Sequence, residues 1–350
     1  MSHLRVWVDL DNAPHAPLFR PIVAALRSRG HHVAVTARRD GQTDVLAHLA
    51  LDAEGVGGWR GRSLPAKVAA TAVRAARLAR WLRGRSVDVA VSHGSRPLLL
   101  AALARRIPVV TMYDYEGVSA GLFHRFSRTL IVPALVPAAS AGDRVAARVV
   151  SYEGMKEDLY LSDFEPALDV RGELGIGRDE VLVVLRPESE TAHYRARADS
   201  AILDGILDRL GAAEGVRVVL LPRSPDQGRR LTAALERRGV PALVPAPLDG
   251  RELVRAADLV IGGGGTMTRE AAALGVPAYS YFRGTLGAVD RWLSDTGRLT
   301  LIRSADAVER IRLERRGEPV CPPASRPRVL EQVVDEICAS ARRPDPKNRT

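Results

Sequence analysis

The stretch Leu259–Pro277, LVIGGGGTMTREAAALGVP, decides how the chain is read. Three apolar, β-prone residues run straight into four glycines, Gly262, Gly263, Gly264 and Gly265. Thr266 and Thr268 follow, then a helical run that Gly275 and Pro277 close. A buried strand, a glycine turn and a helix are one βα step of a parallel sheet. Glycines let backbone approach a ligand, and free amides at a helix start attract phosphate. No Gly-Lys-Ser/Thr follows, so this is not a P-loop, and the G-x-G-x-x-G pattern with a distant acid is absent as well. Glu270 is expected in the first helical turn instead. There it can accept hydrogen bonds from a sugar diol while a diphosphate rests on the amides of Gly263, Gly264, Gly265 and Thr266. The plain alternative is a glycine turn packed against a neighbour, with Glu270 a favourable helix-start charge.

Outward from this loop, strand and helix signals alternate along the chain. The first half reads as strand Val6–Asp9, helix Pro17–Gly30, strand His32–Thr36, helix Lys67–Arg83, strand Val87–Ser92, helix Pro97–Arg106 and strand Pro108–Tyr113. The second half repeats the alternation from Val181 to Tyr281, and a final helix is expected over Val329–Ala341. The fold class is α/β: two doubly wound Rossmann-like domains facing across a cleft, with ligands beyond the carboxyl ends of the strands. The boundaries expected are 1–165, 166–325, and 326–350 for a closing helix and a disordered polar tail.

The 350 residues, 46% hydrophobic and 26% charged, suit two ordinary domains. Two cysteines, Cys321 and Cys338, make neither a disulfide framework nor a zinc site, which fits a cytoplasmic protein. The amino terminus reads as neither signal peptide nor spanning helix, and no long uncharged apolar run exists. The net charge of +10 favours polyanionic partners, although a bias toward arginine codons would produce it too. Between Gly55 and Val87 there is no acid. Arg60, Arg62, Lys67, Arg74, Arg77, Arg80, Arg83 and Arg85 lie there with Trp59 and Trp81. This is either a face for anionic lipid or an acceptor's phosphate, or simply a solvated helix. No nucleic-acid-binding motif is present.

G-G-G-T-M-T-R-E-A-A-A-L-G-V-P resembles the nucleotide-binding loop of GT-B glycosyltransferases. It is similar to S-G-G-x-x-E-E-A-x-x-L-G-x-P of UDP-N-acetylglucosamine 2-epimerases. It is also similar to S-G-A-x-x-x-x-E-x-x-A-x-G-x-P of the N-acetylglucosaminyltransferase that completes lipid II. Nearly the whole chain resembles the prokaryotic domain-of-unknown-function 354 family, described as predicted glycosyltransferases. The resemblance implies a nucleotide-sugar donor, UDP-linked, with diphosphate on Gly264, Gly265 and Thr266 and ribose on Glu270. It implies a transferase of the cell envelope with no cofactor and no metal, and it leaves the acceptor unidentified; the basic stretch Gly55–Val87 is what would suit a lipid- or phosphate-linked one.

The opening stretch VWVDLDNAPHAPLFRP, Val6–Pro21, carries a histidine before a helix and Arg29-Gly30-His31 after it. The lipid II enzyme has a similar arrangement, which implies that His15 lies at the acceptor. A loop histidine near neutrality can deprotonate a hydroxyl, oriented by Asp9, Asp11 or a backbone group. Asn12 and the acids face acceptor hydroxyls, since carboxylates would repel diphosphate. A rival reading makes Asp9 and Asp11 the nucleophile and acid of a haloacid-dehalogenase-type phosphatase, or a metal pair. Asn12-Ala13 breaks the expected D-x-D-G-T/V, and of three lysines only Lys156 could be nominated.

His93-Gly94-Ser95 resembles the H-G-D turn of the epimerases, with Ser95 replacing the aspartate and Tyr113 the later glutamate. Epimerisation therefore lacks its acids, and His93 and Ser95 are read as substrate-binding. Arg186, ending a strand, is expected to stabilise the leaving diphosphate, with Glu188 and Ser189 near the same ligand and Arg223 a weaker counterpart. Asp290 stands where the lipid II enzyme contacts sugar hydroxyls. A nucleotide-sugar epimerase and a non-catalytic nucleotide-sugar-binding protein remain the alternatives.

Overall fold

The computed structural model describes residues 3–12, 14–39, 51–58, 63–117, 120–137, 146–161, 164–165, 167–188, 197–246, 248–317 and 327–341. The chain divides into two compact units, Met1–Tyr160 with Arg326–Thr350, and Leu161–Ser325. Among the described residues no helix is long and apolar enough to cross a membrane.

In the first unit, seven parallel strands lie among the described residues. They are β1 (Arg5–Leu10), β2 (His32–Ala37), β3 (Glu54–Gly55), β4 (Val89–His93), β5 (Val109–Met112), β6 (Thr129–Pro133) and β7 (Arg148–Tyr152). Their order is β3-β2-β1-β4-β5-β6-β7. Central β1 is buried on both faces, which is why VWVDL is a continuous apolar run interrupted only by Asp9. Val8 pairs with Val35 on one side and Val91 on the other. The chain winds outward from β1 to β3, then returns to β4 on the opposite side. Loops leaving β1 and β4 therefore part in opposite directions and open a crevice at their carboxyl ends.

Helix α1 (His15–Ser28) buries Leu18, Phe19, Ile22, Val23 and Leu26, and Gly30 takes positive φ just beyond it. The helix begins at His15 rather than Pro17, because Pro14 adopts helical angles and the His15 amide donates to Asn12 O. Helix α2 (Leu64–Trp81) is capped by Ser63, and α3 (Arg96–Leu103) by Ser95. Helices α4 (Gly121–Phe126) and α5 (Asp158–Leu161) complete the segment before the second unit. Edge strand β7 carries an exposed Arg148 and Val149, so it lacks the two-sided apolar signature of its neighbours.

The second unit begins with α6 (Val170–Glu173) and repeats the plan with β8 (Val181–Arg186), α7 (Arg197–Gly211), β9 (Val216–Leu220), α8 (Pro225–Glu236), β10 (Ala242–Leu243), α9 (Gly250–Ala256), β11 (Leu259–Gly262), α10 (Thr266–Ala273), β12 (Ala278–Ser280), α11 (Ala288–Asp295) and β13 (Thr300–Leu301). The order is β10-β9-β8-β11-β12-β13, all parallel, so the winding reverses between β8 and β11. Val183, Leu185, Val218, Leu220 and Ile261 form its core with Ile206, Leu210 and Leu235 from the helices.

Helix α12 (Pro327–Ala341) returns to the first unit and packs on α1, β4, β5 and β7. Val333, Val334 and Ile337 are fully buried, and Ser340 Oγ lies 2.8 Å from Thr129 Oγ1. The tail beyond Ala341 lies outside the described residues, as do Trp59, Arg60, Arg62, Ser189 and Cys321. Cys338 is a free thiol.

Candidate functional site

Each sheet carries a set of polar side chains at its reversal point. In the first unit Asp9 is completely buried on β1. It accepts hydrogen bonds from Thr36 Oγ1 (2.7 Å), Ser95 Oγ (2.7 Å) and both terminal nitrogens of Arg74 (2.7 and 2.8 Å). Trp7 Nε1 in turn donates to Thr36 Oγ1 at 2.9 Å. All this leaves Asp9 no role as nucleophile or metal ligand. The D-x-D is an ion-pair anchor, because arginines occupy the space a cation would take. Asp11 is paired with Arg38 and lies 3.3 Å from Arg74. Burial pushes the Asp11 carboxyl above its ordinary range, against the pull of Arg74 and Arg38.

Arg74 therefore does not belong to a basic outer face of α2: its side chain is 1% exposed. Arg85 is also engaged, stacked 4.2 Å from the Trp81 ring centroid and paired with Glu54. Lys67, Arg77, Arg80 and Arg83 stay exposed, with apolar Leu64 and Val68 beside them.

His15 opens α1, buried, instead of standing in a loop. Its Nδ1 accepts the backbone N–H of Asp11 at 3.2 Å, and Asn12 Nδ2 lies 3.5 Å from its Nε2. Asp11 thus orients His15 through its amide, not its carboxylate. An Nδ1 that accepts puts the neutral ring's proton on Nε2, so that nitrogen is a donor. The ring of His93, at the end of β4, sits 5.0 Å from that of His15. His93 Nε2 is 3.3 Å from Asp114 Oδ1, off the direction of a good hydrogen bond. Lys156 Nζ donates to Asp114 Oδ2 at 2.7 Å and lies 3.6 Å from Glu157. Burial, then the charges of Asp114, Glu157 and Asp158, push the Tyr152 hydroxyl well above its ordinary value. Asp114 and Lys156 escaped sequence reading in these roles. The available signals were an acid just past β5 and one of the chain's three lysines.

In the second unit Arg186 ends β8 beside Gly262 of β11. Its Nη1 donates to the carbonyls of Leu221 (2.8 Å) and Pro222 (3.4 Å). Arg223 Nε donates to Pro187 O at 3.0 Å. Gln227 laces the same two loops, accepting from the Arg223 amide at 2.8 Å and donating to Glu188 O at 2.8 Å. The two guanidinium groups are held by carbonyls alone, with no carboxylate partner among the described residues. Burial, then the neighbouring Arg223, hold Arg186 down to about 10. Two adjacent guanidinium groups present donors of the kind that suit phosphate or carboxylate oxygens.

The glycine loop adjoins this pair. The Gly263 amide donates to Arg186 O at 3.0 Å, and a Cβ at Gly263 would lie 2.0 Å from Glu188 Cγ. Gly265 has φ of +103° with open space where a Cβ would stand, and it precedes Thr266, the first residue of α10. Glu270 is the fifth helical residue, in the second turn rather than the first, and is buried. Both carboxylate oxygens of Asp290 accept from Arg269, at 2.8 and 2.9 Å. The structure thus gathers Arg186, Glu188, Gly263, Gly264, Gly265 and Thr266, and ties Asp290 to Arg269. Among the described residues no three His, Cys, Asp or Glu side chains converge as metal ligands.

The sequence model described as "Protein of unknown function (DUF354)" matches residues 4–317. The uncharacterized protein MJ0665 of Methanocaldococcus jannaschii is 28% identical over 309 residues, covering 85% of this chain and 88% of that one. UDP-GlcNAc 2-epimerase of M. jannaschii, solved with UDP-GlcNAc and UDP, superposes with a TM-score of 0.68 at 15% identity, covering 96% of this chain and all of the other. MurG of Acinetobacter baumannii superposes at 0.54 with 16% identity, covering 97% and 100%. The fold of both units is that of the GT-B type.

Proposed function

The chain belongs to the DUF354 family, and we propose that it is a nucleotide-sugar enzyme, a metal-independent glycosyltransferase using a UDP-linked donor. The observation carrying this reading is the uncompensated Arg186–Arg223 pair beside the glycine loop. A diphosphate takes the two guanidinium groups and the amides around Gly265 and Thr266, and Glu270 takes the ribose hydroxyls. The acceptor oxygen attacks the anomeric carbon and the carbon–oxygen bond to diphosphate breaks. The released electron pair settles on a diphosphate oxygen that Arg186 stabilises.

The acceptor's proton needs a base. His15 Nδ1 is taken by the Asp11 amide, which suits His15 to donating toward the acceptor, together with Asn12. His93 is the second candidate base, its ring 5.0 Å from that of His15 and its Nε2 3.3 Å from Asp114 Oδ1. Ser95 positions by way of Asp9 and the α3 cap. The acceptor is lipid- or phosphate-linked, met by the basic and apolar side of α2 at an anionic membrane surface. Sedimentation with anionic vesicles, compared with Leu64→Asp, tests that part.

A second reading, epimerisation, is favoured by the His93–Asp114–Lys156 cluster, which would serve equally to remove a proton from a sugar carbon. Thermal shift across UDP-, GDP-, dTDP-, ADP- and CDP-sugars, with and without magnesium, tests donor binding. One nucleotide class should raise the midpoint without metal, and Glu270→Ala should abolish the rise. A shift with none of them removes both readings. Epimer formation without acceptor then marks the second reading, sugar transfer the first, and binding without turnover a non-catalytic binder.

A further inference from the structure

The second unit carries another cationic cluster, at the opposite end of its sheet from Arg186. Asp258, 3% exposed, precedes β11 and exchanges hydrogen bonds with Leu182 of β8. Arg171 Nη1 reaches its carboxylate at 3.2 Å, Arg315 Nη1 at 3.0 Å, and the Arg316 amide at 2.9 Å. Arg316 Nη2 donates to Arg255 O at 2.6 Å, three residues before Asp258. The carboxylate thus takes four donors, two of them the guanidinium groups of Arg171 and Arg315, with those of Arg316 and Arg255 close by. Of the nearby acids, Glu180 is turned to Arg217 and the Gly177 amide, and Glu252 accepts from the Ala167 amide through Oε1, its buried Oε2 having no donor among the described residues.

Arg255 has no carboxylate partner among the described residues. Arg171 Nε, Arg255 Nη1 and Arg316 Nη1 are buried and lack any acceptor there. Folded proteins leave few buried donors unsatisfied, and an unaccounted set of them points to a water or ion. Three donors on three like charges select an anion over water, because only an anion also relieves their mutual repulsion. Burial and the Arg255 charge hold Arg316 below its ordinary value, consistent with this crowding.

We propose that Arg171, Arg255, Arg315 and Arg316 form a second anion site that binds a phosphate-class oxyanion, separate from the strand-end site of the same unit. Arg315, the most exposed of the four at 41%, is the side chain that swings to admit the ion. The source is a free oxyanion or the phosphate of a lipid headgroup, which present the same oxygens. The inference does not depend on the donor assignment, since Arg186 and Arg223 take no part.

The test is calorimetric titration of the whole chain with inorganic phosphate, with ionic strength held by sodium chloride. Arg255→Ala and Arg316→Gln should weaken binding by about tenfold or more, while Arg186→Met retains a phosphate site. Should Arg255→Ala fail to fold, Arg315→Gln carries the same comparison. Retention on phosphatidic acid vesicles, lost in the variant, would assign the headgroup. Phosphate binding without such retention would assign the free ion. Binding no stronger than that of chloride, or variants that bind phosphate like the wild type, would overturn the proposal.

Discussion

The two reversal points share one topology and differ in their electrostatics. At the end of β1 and β4 every charge has been answered from within: Asp9 by Arg74, Asp11 by Arg38, Asp114 by Lys156. At the end of β8 and β11 two arginines stand together on backbone carbonyls, and among the described residues no carboxylate meets them. The first arrangement holds itself together. The second holds two like charges side by side. One architecture thus carries internally paired charges in one unit and an arginine pair on backbone carbonyls in the other, and side chains, not strand order, make the difference.

Substitutions can break or sharpen this contrast. Arg74→Ala should act most strongly, since it leaves Asp9 buried and charged, at a cost of about 3–5 kcal/mol. Urea denaturation reads it, and a loss under about 1 kcal/mol would mean that water reaches Asp9 as it does a surface pair. Gly263→Ala forces its new methyl into Glu188 and should cost about 1–3 kcal/mol. The nucleotide-induced thermal shift should fall with it. Ser95→Ala removes both the α3 cap and a hydrogen bond to Asp9, for about 1–2 kcal/mol.

Arg186→Met should be the mildest for the free protein, under about 1 kcal/mol, because it also removes repulsion with Arg223. Its effect belongs to ligand affinity, weakened about tenfold or more. The pH dependence has a definite sign. Arg186 is held down to about 10 in the fold, so at and above that pH the unfolded chain keeps more protons than the native one. Stability of the wild type relative to Arg186→Met should therefore rise as pH climbs through about 10. Denaturation midpoints on either side of that pH, with equal gaps at both, would show the guanidinium to be well hydrated.

The strands that pair on both sides were legible because burial on two faces demands an unbroken apolar run, as in Val6–Leu10 and Val181–Leu185. β6 and β7 were not. β7 lies at an edge with Arg148 and Val149 exposed, so its pattern is mixed. At the site, the glycine loop and Arg186 were legible from strand ends followed by ligand-suited residues. The partners of Asp9 were not, because Thr36, Arg74 and Ser95 lie 27, 65 and 86 residues away. Only the winding of the sheet brings them to one carboxylate. The register of His15 turned on Pro14 adopting helical angles, a local choice that the spacing of apolar residues does not encode.

Helix α12 supplies Val333, Val334 and Ile337 to the first unit, after the whole second unit has intervened in the chain. During synthesis the second unit has all its residues available once Ser325 has emerged, while the first still lacks a wall of its core. The unit begun first is therefore the last to close, and until residue 341 leaves the ribosome the nascent chain presents the apolar side of α1 as a surface for chaperones. A released chain truncated after Ser325 should yield a protease-resistant second unit attached to a digestible first.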